Sequence, residues 1–275
     1  MTAQIPRDRT IAALEEEWAS IEALLSELRD DEWSVLTVLP GWDVKDNVSH
    51  IIGTEQMLLG NPVPGIEIDR GEHAHVRNDI GEFNEVWVEA LRSESSADVL
   101  ARFRDVTAQR RVALADMSQR EWDAESFTPA GKATYGRFMQ IRVYDCWYHE
   151  QDIRDALGRP GNGSGLPVEV TLDELTTAMG FVVGKKAGAA DGQSVTFALT
   201  DDDVVVREIH VLVDGRAGVV SSLPGPATVT LTMPVGVMTR RSAGRVPLSV
   251  DDPSVSMVGD AELGTRILRS QTYTL

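Results

Sequence analysis

The sequence predicts a two-domain α+β protein: a four-helix bundle over residues 1–160, followed by a smaller α+β domain with a mainly antiparallel sheet over residues 166–275. Three observations carry this reading. All six tryptophans (Trp18, Trp33, Trp42, Trp87, Trp122, Trp147) precede residue 150, and only Phe181, Phe197 and Tyr273 follow it, so two cores of different character are implied. Charge divides at the same place, with 17 basic and 30 acidic side chains in residues 1–160 against 9 and 13 in the remainder. Between the halves, Gly158-Arg-Pro-Gly-Asn-Gly-Ser-Gly165 has the composition of a linker.

The elements follow in order. Ile11, Leu14, Trp18, Ile21, Leu25 and Leu28 step by three and four, which places them on one face of a first helix. After Pro40-Gly-Trp42, Asp43 can cap a second helix carrying Val44, Val48, Ile51 and Met57, which Gly60-Asn-Pro-Val-Pro-Gly65 ends. The third element runs from Gly81 to Met117 through Phe83, Trp87, Leu91, Val99, Phe103, Val106 and Leu114, with room for a break near Ser93 to Ser96. The fourth covers Thr134 to Leu157, and four long helices make a bundle. In the second half, a helix near Val168 to Ala189 precedes β-branched runs at Ser194 to Leu199, Val204 to Val213, Gly218 to Ser221 and Ala227 to Thr232. Val229, Leu231 and Met233 alternate with Thr228, Thr230 and Thr232, as in a half-buried strand. Asp201-Asp-Asp203 and Asp214-Gly215 are turn signals, and a strand at Val255 to Val258 leads into a last helix ending near Ser270.

The 275-residue chain carries a formal charge of −17, which argues against a nucleic-acid partner. Its apolar runs are far shorter than the roughly 20 residues that span a bilayer. The single cysteine, Cys146, cannot form an internal disulfide, and no charged, apolar leader opens the chain, so a cytoplasmic location is expected. Charge alone leaves monomer and homodimer open.

One constellation could carry chemistry. Asp145 and His149 are four residues apart on the fourth helix and so project from one face, where a carboxylate oxygen and an imidazole nitrogen can share an ion. The same spacing also suits an ordinary helical ion pair worth about 0.2–0.5 kcal/mol. His50, near the inward face of the second helix, is either a third ligand or a hydrogen-bonded core residue. Two nitrogens and one oxygen suit Zn²⁺ or another divalent metal and leave a coordination position open. His73 and His75 are read as surface or site-lining residues, although they too could bind metal, and His210 as structural. Cys146 points about 100° away from the Asp145 and His149 face and is a poor nucleophile. No Gly-x-Ser-x-Gly elbow, Walker loop or Gly-x-Gly-x-x-Gly follows a strand, so the nucleophile must be metal-bound water or an external thiol. Arg240, Arg241 and Arg245 form the densest basic cluster of the second half, suited either to an anionic ligand or to a solvated helix end.

Two segments resemble a known family. Pro40-Gly-Trp-Asp-Val-Lys-Asp-Asn-Val-Ser-His50 is similar to the Pro-Gly-Trp-x-Val-x-Asp-x-x-x-His motif of the mycothiol-dependent maleylpyruvate isomerase family, a branch of the DinB-like metal-binding bundles. Arg142-Val-Tyr-Asp-Cys-Trp-Tyr-His-Glu-Gln-Asp-Ile-Arg154 resembles its second metal motif. The family commonly adds a sterol-carrier-like α+β domain, ending in a Gly-Arg segment and a Gly-Asp-x-Glu-Leu-Gly run; Gly244-Arg245 and Gly259-Asp-Ala-Glu-Leu-Gly264 match these. The resemblance implies His50, Asp145 and His149 as metal ligands and Arg245 as the functional arginine; Arg245 and, from the basic cluster, Arg240 are the residues expected to bind the cofactor. The isomerase proper carries Glu where this chain has the shorter Asp145, a change that bears on substrate more than on metal binding.

The implied activity is zinc-assisted chemistry with mycothiol, the low-molecular-weight thiol of actinobacteria. Thiolate addition to an electrophilic double bond, rotation and expulsion give cis–trans isomerisation, and addition without expulsion gives S-transfer. The substrate expected is a small, anionic electrophile, with Arg245 on a carboxylate and Trp42 or Trp147 excluding water. Two competing readings are a metal-dependent hydrolase, with Glu150 or another carboxylate as base, and a non-enzymatic binder of apolar ligands. Glu150 is turned away from the ligand face, which weighs against the hydrolase.

Overall fold

The structure, a computed structural model, describes residues 4–274, and the chain forms two compact units that divide between Thr171 and Leu172. In the first unit the apolar stripe read from the sequence becomes α1 (Arg7–Ser26), with Leu14, Trp18 and Ile21 fully buried. A short 3-10 turn at Asp30–Ser34 leads to α2 (Val44–Leu58). Asp43 caps α2 reciprocally: its carboxylate accepts from Asp46 N at 2.9 Å and the Asp46 carboxylate accepts from Asp43 N at 3.1 Å. Desolvation of Asp46 on burial is the larger influence and pushes its carboxyl up to about 6 against that backbone bond.

The admitted break in the third element is real. It separates α3 (Asp79–Leu91) from α4 (Ser96–Asp116), because Leu91 O closes a turn on Glu94 N and Ser95 then caps the next helix from Asp98 N. Gly53 lets α2 approach α3 closely, since a Cβ there would meet Trp87 Cγ at 2.3 Å. A short helix α5 (Gln119–Trp122) and a hairpin of β1 (Glu125–Thr128) and β2 (Gly131–Thr134) follow, none of which the sequence reading anticipated. Then α6 (Tyr135–Leu157) starts from the Thr134 cap and ends at Gly158, whose φ of 63° is the left-handed conformation of a helix C-terminus. Helix α1 packs on α4 and α6, and α2 packs on α3, α4 and α6, closing one core through Val48, Ile51, Phe103, Val106, Met139 and Val143.

This core also holds charge. Glu55 of α2, fully buried, accepts from Arg110 of α4 at 2.8 Å and from Arg142 of α6 at 2.9 Å. An unpaired buried carboxylate would be strongly destabilising, so these two guanidinium groups define where three helices meet.

Helix α7 (Leu166–Phe181), extended by a π-turn at Val182–Lys186, crosses into the second unit. There β3 (Ser194–Asp201), β4 (Val204–Asp214), β5 (Arg216–Val220), β6 (Val229–Pro234) and β7 (Ser256–Gly259) form one sheet in the order β5-β4-β3-β6-β7. Only the central β3–β6 pair is parallel; the other neighbours are antiparallel, as the period-2 runs imply. Asp202 and Asp203, at φ 45° and 64°, make the β3–β4 turn that the aspartate run signals. Helices α8 (Val235–Ser242) and α9 (Ala261–Leu268) bring Met238, Leu263 and Ile267 to a core that includes Val195, Phe197, Leu199, Val211, Val229 and Leu231. Among the described residues, no helix is long and apolar enough to cross a membrane.

Candidate metal centre

Helices α2 and α6 each lend one face to the site. Asp145 and His149 project from α6 one turn apart, with His149 Nε2 3.4 Å from Asp145 Oδ1. His50 reaches them from α2, with Nε2 3.2 Å from Asp145 Oδ2. The two imidazole centroids are 4.7 Å apart at 64°, and the three donor atoms lie within 4.8 Å of one another. Both histidines are buried while the Asp145 side chain keeps 30% of its exposure, so the cluster opens to solvent on the carboxylate side.

The neighbours fix the protonation that a metal requires. The Asn47 amide donates to Asp43 O at 2.8 Å and to Thr37 Oγ1 at 3.2 Å, which turns its oxygen toward His149 Nδ1 at 2.8 Å. His149 Nδ1 therefore carries a hydrogen, which leaves Nε2, beside Asp145, as the nitrogen that can take a metal. Burial lowers the pKa of His50 despite the opposing pull of Asp145, which keeps the imidazole neutral. Burial alone would raise Asp145, but His50, Arg142 and His149 outweigh it and hold the carboxyl well below the usual range. A deprotonated carboxylate with two neutral imidazoles is the state in which such a set binds a divalent cation. His50 Nδ1, by contrast, is buried with no hydrogen-bond partner among the described residues.

Arg142, one turn before Asp145, donates to the Asp145 carboxylate and ties it to Glu55. It also reaches Cys146 Sγ at 3.3 Å. The Cys146 thiol is buried, and desolvation pushes its pKa well above the usual value despite Arg142, so it is not the nucleophile, as its position on the helix suggests. Glu150 faces away from the cluster and binds Ser20 Oγ at 2.6 Å, Asn162 Nδ2 at 2.6 Å and Arg154 Nε at 2.8 Å.

Of the two indoles considered for the site wall, Trp42 is the one beside it. Its ring packs 5.4 Å from His50 and 5.9 Å from His149, and its N–H donates to Glu85 Oε2 at 2.9 Å. Trp147 instead donates to Asn162 O at 2.8 Å and packs edge-on to Tyr148. His73 and His75 meet at the same Glu85, and His210 pairs with Thr196 Oγ1 at 2.9 Å within the sheet. In the second unit the three arginines separate. Arg241 is fully buried and donates to Ser249 O, Leu268 O and Gln271, a structural role. Arg240 lies on α8 and reaches Gly236 O at 3.3 Å; Arg245 follows the helix and reaches Ala243 O at 3.2 Å.

Asn47, Arg142 and Glu85 were not singled out from the sequence. Spacing offered a signal for Arg142, which precedes Asp145 by three residues, one helical turn, and reaches it, but none for Asn47, whose partner His149 lies on the other helix. Glu85 had no such signal, because its partners come from other segments.

A family model described as the mycothiol maleylpyruvate isomerase N-terminal domain matches residues 14–154, just over half of the chain. Two uncharacterized proteins of Mycobacterium tuberculosis, MT0041 and Rv0036c, are each 27% identical over 152 residues; the match covers 54% of this chain and 56% of the relatives' own length. The crystal structure of the mycothiol-dependent maleylpyruvate isomerase superposes with a TM-score of 0.58 at 17% identity, covering 94% of this chain and 95% of that one. A histidine-to-alanine mutant of that isomerase gives the same TM-score and coverage at 18% identity, so the fold is common to these chains. The sequence match, spanning both α2 and α6, shows that the chain belongs to the mycothiol maleylpyruvate isomerase N-terminal domain family.

Proposed function

We propose that the protein is a metal-dependent enzyme that uses mycothiol to act on a small electrophile, by maleylpyruvate-type cis–trans isomerisation or by S-transfer. The observation that carries this reading is the convergence of His50 Nε2, His149 Nε2 and Asp145, with Asn47 fixing the His149 tautomer. When bound, Zn²⁺ lowers the pKa of a coordinated thiol so that thiolate is present at neutral pH. The chain's own part is to hold two imidazoles and one carboxylate in place, and to cover the histidines with the Trp42 ring. Arg142 keeps Asp145 ionised and oriented, and because Cys146 is buried and protonated no internal thiol competes with the external one.

In this reading residues 1–160 are the metal-binding bundle and residues 166–275 a sterol-carrier-like domain. Arg245 serves as the arginine that meets a carboxylate of substrate or cofactor, and Arg240 contributes to cofactor binding. Their guanidinium groups offer the forked donors that bind carboxylates bidentately. Glu150 is engaged by Ser20, Asn162 and Arg154, which leaves no general base for a hydrolase at that position.

The test compares wild type with His149→Ala after dialysis against metal-free buffer and reloading with zinc. Elemental mass spectrometry is expected to find one equivalent of zinc fewer in the variant, and turnover of maleylpyruvate with mycothiol is expected to vanish. Turnover of an ester or amide without any thiol would transfer the site to a hydrolase. Unchanged zinc and activity in His149→Ala would remove these residues from the chemistry.

A further inference from the structure

A second set of two imidazoles and one carboxylate lies on the other side of Trp42. His75 Nε2 is 2.8 Å from Glu85 Oε2, and His73 Nδ1 is 3.4 Å from Glu85 Oε1. The two rings stand nearly perpendicular, at 88° with centroids 5.7 Å apart, and the three donor atoms lie within 4.8 Å of one another. We infer that His73, His75 and Glu85 form a second divalent-cation site, for Zn²⁺ or a metal of similar softness, separate from the centre on α2 and α6.

Three features support this. The donor set has the composition that favours zinc over harder cations. The carboxylate is fully buried, yet the two histidine side chains each keep 22% of their exposure, so an ion can enter and retain water ligands. Glu85 is also held from outside the set, by Trp42 Nε1 on Oε2 at 2.9 Å and by Arg92 on Oε1 at 3.1 Å, as ligating carboxylates commonly are.

The segment that supplies the histidines is itself organised to present them. His73 N bonds to Asp69 O at 3.2 Å and Val76 N to His73 O at 2.8 Å, which makes two successive turns. Arg70 ties the segment to α3 through Glu82 at 2.7 Å and Asp79 at 2.6 Å, and Val76 is buried beneath it. The turn before α2 leaves room for the ring. Gly41 has φ 82°, and a Cβ there would meet His75 Cε1 at 3.0 Å. A bound ion would therefore pin the segment between α2 and α3 to the indole that walls the first centre.

The experiment is zinc titration by isothermal calorimetry of metal-stripped protein, with elemental analysis after desalting. Wild type is expected to bind two equivalents, His50→Ala one, and the double variant His73→Ala/His75→Ala one. The triple variant is expected to bind none. Glu85→Gln is expected to behave as the double variant does, and the double variant, whose positions are only partly buried, guards against a folding defect from changing the fully buried Glu85. If wild type binds one equivalent that His50→Ala loses and His73→Ala/His75→Ala keeps, the second site is overturned and its contacts with Glu85 are ion pairs only. If wild type binds one equivalent that only the double variant loses, the second site stands and the first centre fails instead.

Discussion

The two units bury charge very differently. The bundle encloses Glu17, Glu55, Glu85, Glu150, Arg110 and Arg142, each at most 2% exposed, whereas the buried charged side chains described in the second unit are Arg241 and Glu174. Arg241 hydrogen-bonds to neutral acceptors, the carbonyls of Ser249 and Leu268 and the Gln271 amide, and meets Asp252 only as an ion pair at 3.8 Å, while the bundle's Arg110 and Arg142 donate directly to a carboxylate. Apolar burial suffices to hold a sheet against helices, so the bundle's buried charges mark where the fold has been committed to positioning rather than to stability.

That contrast can be broken most directly by removing one arginine from each unit. Arg142→Met leaves Asp145 without its guanidinium and Glu55 with Arg110 alone, and is expected to lower unfolding free energy by about 3–5 kcal/mol. Arg241→Met leaves neutral acceptors unpaired and removes a 3.8 Å ion pair with the partly exposed Asp252, and is expected to cost about 1–3 kcal/mol. Urea unfolding of the two variants reads the difference directly; equal losses would mean that the bundle's charges are not special. A finer test leaves every charge in place. Asn47→Leu removes the acceptor that orients His149, together with the amide's bonds to Asp43 O and Thr37 Oγ1, and is expected to weaken zinc binding at the first centre by about 10–100-fold, measured by competition with a chelator.

The smallest effect concerns pH. Glu17 lies fully buried beside Glu150 with Asn162 on one oxygen, and burial, followed by the Glu150 charge, raises its pKa well above the usual carboxylate value. A raised acid stabilises the folded state fully below its unfolded pKa, and that contribution is lost as pH rises through the folded pKa. Wild type should therefore lose stability across that rise while Glu17→Gln does not, so the urea midpoint of wild type falls relative to that of the variant as pH increases. A constant gap between them would show that folding leaves the Glu17 pKa unchanged.

Much of the fold was legible because it rests on local repetition. The stripe from Ile11 to Leu25, the Asp43 cap and the alternation at Val229 to Met233 each contain their reason within a few residues. The β1–β2 hairpin was not legible, since exposed Phe127 and the polar residues around it give no buried face to detect. The end of helix α8 was among the readings of the arginine cluster, but as a solvated one, and the burial of Arg241 in the core was hidden because a charged side chain reads as solvent-facing. At the site, His50, Asp145 and His149 could be read from motifs that sit on single helices. Glu85 and Glu55 could not, because each has partners from several segments and a lone glutamate in a helix reads as solvent-facing.

Trp42 has a consequence in optical terms. Its ring lies within 5.9 Å of both His50 and His149, and its N–H rests on the carboxylate that His73 and His75 share. The field at this one chromophore therefore changes with the charge on either cluster. The difference in ultraviolet emission between wild type and Trp42→Phe thus becomes an internal gauge of what occupies the two histidine pairs, with no added dye.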